Sequence, residues 1–126
     1  MKKILIVDDE PLIRTLLEET LEDFQDHDVE LLTAGNGFEG WTVIQKERPQ
    51  LVILDVMMPK MSGYEVCQKI KQTPEFAGIW VIMLTAKGQE IDRLRGDEAG
   101  ADEYVTKPFD PDYIIERAGK VLGIDV

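Results

Sequence analysis

Four runs of apolar residues along the chain each stop on polar residues. The runs are residues 4–7, which lead into Asp8 and Asp9, 51–54, which lead into Asp55, 79–84, which lead into Thr85, and the weaker 101–106, which leads into Lys107. Short and nearly continuous apolar runs are typical of strands that are buried on both faces of a parallel sheet. The pattern therefore predicts buried strands that end on charged or hydroxyl side chains.

The segments between these runs carry apolar residues at helical spacing. A first helix is predicted over 11–24, with Asp9 as its cap and Pro11 in its first turn. A further strand is predicted over 29–33. Four more helices are predicted: a helix that carries Trp41 and Ile44 and ends at Arg48, a helix from about Gly63, a weakly apolar helix over 88–99, and a last helix from about Pro111. This alternation predicts an α/β three-layer sandwich with a parallel sheet of five strands and five helices.

Size and charge restrict the class of protein. With 126 residues and 44% hydrophobic content, the chain is predicted to form one domain over 1–126. The net charge of −11 argues against direct nucleic-acid binding, and no apolar stretch reaches the roughly 20 residues that a membrane span needs. The single cysteine, Cys67, permits no internal disulfide, so a reducing, cytoplasmic setting is expected.

The polar run-ends suggest phosphoryl chemistry. In an open parallel sheet, the ends of these strands lie at the carboxyl edge, where such folds bind ligands. Three carboxylates brought together there require a cation or raised pKa values, and oxygen ligands without nearby His or Cys indicate Mg²⁺, or Mn²⁺ as a substitute. A carboxylate could then attack phosphorus, while Lys107 and Thr85 hold the transferred oxygens.

A second motif is interpreted as a structural turn. Residues 35–40, GNGFEG, match the GxGxxG pattern of dinucleotide-binding proteins and have Asp55 downstream. That fingerprint belongs in the first turn between strand and helix, which here is 8–11, and the chain is too short for two nucleotide-binding halves. We therefore interpret Gly35 to Gly37 as a turn and Gly40 as a position of close helix-sheet approach.

Four stretches together closely resemble the receiver domain of two-component response regulators. They are residues 4–11 (ILIVDDEP), 54–63 (LDVMMPKMSG), 84–86 (LTA) and 100–109 (GADEYVTKPF). The resemblance covers essentially the whole chain, and the four motifs occur in the family's order and spacing. It implies a flavodoxin-like fold with strand order 2-1-3-4-5 and a phosphoryl group taken from a partner's phosphohistidine.

The resemblance also implies a role for each residue at the strand ends. Asp55 would be the phosphoacceptor, and Asp9, Asp55 and the backbone carbonyl of Met57 would hold Mg²⁺, with Asp8 contributing directly or through water. Lys107 would bind the phosphoryl group.

Two further family features concern switching. Thr85 would hydrogen-bond the phosphoryl group, and Tyr104 is similar to the aromatic residue that turns inward when the threonine moves. Lys107-Pro108 resembles the family's cis peptide bond.

The region 92–109 resembles the receivers of winged-helix transcription factors, which dimerise through their fourth helix, fifth strand and fifth helix. Tyr113 stands where that group usually has an acidic partner for the arginine that matches Arg93, and Asp97 occupies an apolar position. Glu103 and Arg117 could still form one of the group's ion pairs. We expect a monomer or a weak, phosphorylation-dependent dimer.

The sequence is interpreted as a phosphorylation-activated signalling receiver without an attached output domain. Its expected partners are a sensor histidine kinase or histidine phosphotransfer protein and a downstream protein target, without direct contact to nucleic acid or membrane. It would catalyse only its own phosphorylation and dephosphorylation and is otherwise not an enzyme. The alternatives are an excised receiver of a larger transcription factor or enzyme, an unphosphorylated receiver-fold interaction module, and, more weakly, an aspartyl phosphohydrolase.

Overall fold

The sheet has five parallel strands, in the order β2-β1-β3-β4-β5. The computed structural model describes residues 1–86 and 99–126. The strands are β1 (Lys2–Val7), β2 (Val29–Ala34), β3 (Leu51–Asp55), β4 (Trp80–Ala86) and β5 (Glu103–Lys107). The predicted α/β sandwich and its strand order are confirmed. All the side chains of β3 are buried, and so are those of β1 from Ile4 to Val7.

Four α-helices lie in the described residues. They are α1 (Pro11–Thr20), α2 (Gly37–Glu47), α3 (Gly63–Gln72) and α4 (Pro111–Leu122), and a 3₁₀ helix, Glu22–His27, follows α1. Apart from Ala99, the helix predicted over 88–99 lies outside the described residues. The same is true of Lys87, Arg93 and Asp97. None of the described helices is long and apolar enough to cross a membrane.

Three details of the first helix were predicted wrongly. The α-helix ends at Thr20 instead of continuing to residue 24, because the chain continues as the 3₁₀ helix. Residues three apart lie above each other in the tighter 3₁₀ geometry, so Leu21 and Phe24 are both buried. The cap position is Glu10 rather than Asp9, because the helix begins at Pro11. Leu12 and Leu16, predicted as part of its apolar stripe, are exposed.

The core consists of two apolar clusters, one on each face of the sheet. Alternate side chains of β1 enter opposite clusters, with Leu5 and Val7 on one face and Ile4 and Ile6 on the other. The first cluster is covered by α2 and α3, which contribute Ile44, Val66, Cys67 and Ile70. The second is covered by α1, the 3₁₀ helix and α4, which contribute Leu17, Phe24, Ile114, Ala118 and Leu122. The rigid central strands leave their polar end residues at one edge.

Candidate functional site

The strand ends bring the predicted polar residues to the carboxyl edge of the sheet. Asp8 directly follows β1, and Asp55 is the last residue of β3. Thr85 lies in β4 opposite Thr106 of β5, and Lys107 ends β5 opposite Ala86. Parallel pairing therefore assembles, from four separate parts of the sequence, the side chains that the run-ends indicated.

Lys107 links two buried carboxylates. Its Nζ lies 3.1 Å from Asp55 Oδ1 and 3.1 Å from Asp8 Oδ2. Asp8 is fully buried and Asp55 is 5% exposed, so both carboxylates have lost most of their water. A third carboxylate, Glu10, is exposed, with its Oε1 3.7 Å from the same ammonium. One positive charge thus faces three negative ones.

The turn after β1 is held by hydrogen bonds to Asp8. The Glu10 backbone N–H donates to Asp8 Oδ1 at 2.9 Å, and Arg14 Nη1 donates to the Asp8 carbonyl at 2.6 Å. Asp residues commonly close turns by accepting from the amide two residues later. The second carboxylate oxygen of Asp8, Oδ2, is buried and accepts no hydrogen bond within the described part of the chain, although it lies beside Lys107.

Burial and charge shift the proton affinities of this group. Burial, and then the charge of Asp8, raise the pKa of Asp55 to about 6, although Lys107 opposes the shift. Burial alone would lower the pKa of Lys107, but the negative charges of Asp55 and Asp8 and the close contacts of the ammonium with both carboxylates outweigh it and raise that pKa. At neutral pH, Asp55 is therefore mostly ionised and Lys107 carries its positive charge.

The donor set fits a hard divalent cation. Asp8, Asp9 and Glu10 can each place one carboxylate oxygen within 4.8 Å of the others. All the donors are oxygens, as Mg²⁺ prefers, and the exposure of Asp9 and Glu10 leaves room for the water ligands that Mg²⁺ usually keeps. Asp8 Oδ2, which accepts no hydrogen bond but lies 3.1 Å from Lys107 Nζ, adds a buried oxygen that could bind a cation.

Sequence reasoning did not include Glu10 among the site residues. Glu10 contributes to the acidic cluster and to the surroundings of Lys107. The available signal was its position directly after Asp9, in the first turn between strand and helix.

A cavity of about 170 Å³ opens beside Asp55 and Lys107. Its other lining residues are Glu10, Val56, Met57 and Leu84. Met57 is 68% exposed, so its side chain lies at the rim of the cavity while its backbone follows Asp55 by two residues. The cavity joins the carboxylate, the ammonium and an open approach from solvent.

The two residues predicted to switch lie on neighbouring strands. Thr85 is buried, and Tyr104 is half-buried in β5 opposite Met83, where it packs against the first core cluster. The Lys107-Pro108 peptide bond is cis, as the resemblance implied.

Glu103, at the start of β5, has partners within the same chain. Its Oε1 lies 2.6 Å from Arg117 Nε and accepts from the Tyr113 hydroxyl at 3.1 Å, and its Oε2 accepts from Trp80 Nε1 at 3.2 Å. The expected Glu103–Arg117 ion pair is therefore formed inside one molecule. Pairing across a dimer stays a prediction.

Comparison with known proteins places these features in a family context. The chain matches the model described as "Response regulator receiver domain" over residues 4–119. It is 48% identical over 121 residues to "Probable transcriptional regulator ycf27" of Pyropia yezoensis, covering 96% of this chain and 47% of that protein. It is 46% identical to the alkaline phosphatase synthesis transcriptional regulatory protein PhoP of Bacillus subtilis, covering 96% of this chain and 48% of PhoP.

Solved structures agree. The chemotaxis response regulator CheY4 of Vibrio cholerae aligns with a TM-score of 0.83 at 32% identity and covers 96% of this chain and 98% of CheY4. The chain spans about half the length of the curated relatives it matches. The resemblance drawn from the four motifs is confirmed by these comparisons.

Proposed function

This chain belongs to the family of response regulator receiver domains, and we propose that its Asp55 accepts a phosphoryl group from the phosphohistidine of a partner protein. Receiver domains of response regulators interact with histidine kinases or histidine phosphotransfer proteins, act in phosphorylation-dependent signalling, and are generally not enzymes in the usual sense. The observation that supports the proposal best is the position of Lys107 between the buried carboxylates of Asp55 and Asp8.

The proposed transfer is a substitution at phosphorus. An Asp55 carboxylate oxygen forms the new P–O bond, the P–N bond to the donor imidazole breaks, and its electron pair returns to the imidazole nitrogen. Asp55 must be ionised to attack. Although its pKa is raised, it is about 6, so most Asp55 side chains are still ionised at pH 7.

The neighbouring residues prepare the site for charge on the phosphoryl group. Lys107 already contacts Asp55, so its ammonium can hold a phosphoryl oxygen with little movement. Thr85 would donate a hydrogen bond to another oxygen. Receiver domains generally bind Mg²⁺ at an acidic pocket, and here Asp8, Asp9 and Glu10 form an acidic cluster. In the proposed site Asp8, Asp9, Asp55 and the Met57 carbonyl would hold Mg²⁺, or Mn²⁺ as a substitute, which would offset carboxylate and phosphoryl charge.

The proposed output is a change in the surface beyond the site. Phosphorylation adds about 1.5 to 2 negative charges at Asp55, which would draw Lys107 and Thr85 toward the phosphoryl oxygens. Tyr104 would follow Thr85, and the altered surface, formed by residues 88–99 together with β5 and α4, would bind a downstream protein. The acidic chain itself would contact neither nucleic acid nor membrane, and its cytoplasmic setting stays a prediction.

A second candidate is a receiver that controls a transcription-factor output domain. The observation in its favour is that the chain spans about half of two relatives whose names describe transcriptional regulators. The chemistry at Asp55 would be the same in both cases. A stable dimer of the phosphorylated receiver would favour this candidate.

Labelling with a small phosphodonor tests the proposal. With Mg²⁺ and acetyl phosphate, the protein should gain one phosphate that is stable in acid but labile to base and hydroxylamine, because an aspartyl phosphate is a mixed anhydride. Asp55→Asn should abolish the label, while Asp26→Asn, which changes an exposed aspartate in the 3₁₀ helix, should keep it. Label with the same lability in Asp55→Asn would show that another carboxylate is the acceptor.

A further inference from the structure

The three glycines of the 35–40 motif have different surroundings, and the phosphoryl chemistry does not account for any of them. A Cβ atom on Gly37 would lie 2.0 Å from the carbonyl oxygen of Met61. On Gly40 it would lie 3.0 Å from Val7 Cγ1 and Cγ2, whereas on Gly35 it would meet nothing closer than Arg14 Nη1 at 3.5 Å. Gly37 is therefore the member of the motif that another backbone segment approaches too closely for any side chain.

That backbone segment is the loop that carries Met57. The acceptor loop, residues 56–62, joins Asp55 at the end of β3 to Gly63 at the start of α3. Its far end is closed against its beginning, because the Gly63 N–H donates to the Val56 carbonyl at 3.0 Å and a Cβ on Gly63 would lie 2.2 Å from the Asp55 carbonyl oxygen. Met61, near that end, rests on Gly37. The loop is thus fixed at both ends.

The surface under Met61 is rigid. Gly37 is the first residue of α2, and the cap residue Asn36 accepts the Glu39 N–H on its Oδ1 at 2.8 Å. One turn later, Gly40 packs directly on Val7 of β1. The start of α2 is therefore held by its cap and by the central sheet, so a side chain added at residue 37 would displace the loop and not the helix.

We propose that Gly37 is a positioning residue for the phosphoryl-transfer site. Its missing side chain lets the acceptor loop rest against the start of α2, and this contact sets the distance between the loop and the helix. The position of the loop in turn sets the position of the Met57 carbonyl relative to the Mg²⁺ site. The proposal rests on the proposed function of the site. A side chain at residue 37 would have to move the Met61 carbonyl by about 1.5 Å to reach ordinary contact distance. Groups that orient metal ligands typically change metal affinity by about 10- to 100-fold when they are altered.

A Mg²⁺ titration followed by the backbone amide NMR signals of 55–59 tests this proposal. Gly37→Ala should weaken Mg²⁺ binding by about tenfold and slow phosphoryl uptake from acetyl phosphate. Gly35→Ala should bind Mg²⁺ within about twofold of the original protein, since a methyl group there meets only ordinary contacts.

Gly40→Ala separates positioning from general packing. Its methyl group would press on Val7 and lower the stability of the α2–β1 contact without touching the acceptor loop. It should therefore leave the Mg²⁺ affinity of the folded protein unchanged. Equal Mg²⁺ affinity in Gly37→Ala and the original protein, or an equal loss in Gly37→Ala and Gly40→Ala, would overturn the proposal.

A second pair of variants leaves Gly37 in place, so that the proposal is tested even if Gly37→Ala does not fold. Met61→Gly removes the Met61 Cβ that lies against Gly37 and loosens the loop, whereas Met61→Leu keeps an apolar side chain. Met61→Gly should weaken Mg²⁺ binding and Met61→Leu should not. If the original protein bound no Mg²⁺ and took up no phosphoryl group, the proposed function itself would be refuted.

Discussion

Lys107 Nζ, at the end of β5, lies 3.1 Å from Asp55 Oδ1, at the end of β3, although the two residues are 52 positions apart in sequence and β4 lies between their strands. The same ammonium reaches Asp8 at 3.1 Å. In the absence of metal, this single cation offsets part of the repulsion between two buried carboxylates. The balance of charge at this point sets the expected pH and metal dependence of the protein.

Metal-free stability should fall as the pH rises from about 4 to 7. The pKa of Asp55 is about 6 in the folded state against 3.8 ordinarily, so in this range the folded state holds a proton that the unfolded state has lost. The stabilisation from that proton is complete below the unfolded pKa and disappears as the pH passes the folded one. It amounts to roughly 3 kcal/mol, and urea unfolding in EDTA across this range measures most of it.

Two variants isolate the contribution of Asp55 from that of the other carboxylates. Asp55→Asn should lack this loss of stability, and Asp8→Asn should reduce it, because the charge of Asp8 is the second cause of the raised pKa. Parallel pH curves for the original protein and Asp55→Asn would contradict the prediction.

Mg²⁺ affinity should weaken in mild acid. A carboxylate must be ionised to bind the metal, and with a pKa of about 6, Asp55 is roughly nine-tenths ionised at pH 7 and one-tenth ionised at pH 5. The dissociation constant should therefore rise about tenfold between these values.

Amide NMR is a suitable measurement for this titration. Trp80 begins β4 and Trp41 packs on Phe76 with ring centroids 5.7 Å apart, so neither indole is part of the site and tryptophan fluorescence would respond weakly. Asp55→Asn serves as the control, since its weaker binding should vary less over the same pH range. An unchanged affinity at pH 5 in the original protein would show that Asp55 is not a ligand.

The phosphorylated form should lose its phosphoryl group slowly compared with chemotaxis-type receivers, because the apolar side chain of Met57 at the rim of the cavity shields that group from water. Met57 lines the cavity beside Asp55 and cannot orient an attacking water. Met57→Asn should speed hydrolysis about fivefold, which corresponds to about 1 kcal/mol in the barrier. Loss of acid-stable label over time gives the rate.

Met57→Leu is the matched control for this effect. It keeps an apolar side chain at the rim and should retain the slow decay. Unchanged or slower hydrolysis in Met57→Asn would refute the shielding role of Met57. The residue two positions after Thr85, Lys87, lies outside the described residues.

The activated protein should remain mostly monomeric at micromolar concentration. Both carboxylate oxygens of Glu103 are already engaged by Arg117, Tyr113 and Trp80 of the same chain, so Glu103 is less available to pair with a second copy. Sedimentation velocity with a beryllofluoride phosphate mimic and Mg²⁺ measures the oligomeric state. A stable activated dimer would favour the transcription-factor alternative.

The sequence was sufficient to predict the strands and the residues at their ends. Strands buried on both faces must be apolar throughout, so β1 and β3 appear as continuous runs whose first polar residues, Asp8 and Asp55, mark the edge of the sheet. The end of α2, at Glu47 with Arg48 as its C-cap, was also predictable, because Pro49 follows. These features depend on local chain chemistry.

The first helix illustrates where local pattern was insufficient. Leu12 and Leu16 occur at helical spacing but are exposed, because helical spacing does not show which neighbours the fold supplies. The cap at Glu10 and the change to a 3₁₀ helix depend on the turn at Asp8 and on where Phe24 enters the core.

Tertiary structure alone decided the electrostatics and the fit of the site. The raised pKa of Asp55 follows from its burial and from the charge of Asp8, which Lys107 offsets only in part, and both of these residues lie far away in sequence. In the same way, the need for glycine at residue 37 comes from Met61, which reaches it only through the packing of β3 and α2 against β1. Desolvation, Coulomb energy and steric contact depend on distance in space, and the linear spacing of residues does not contain that distance.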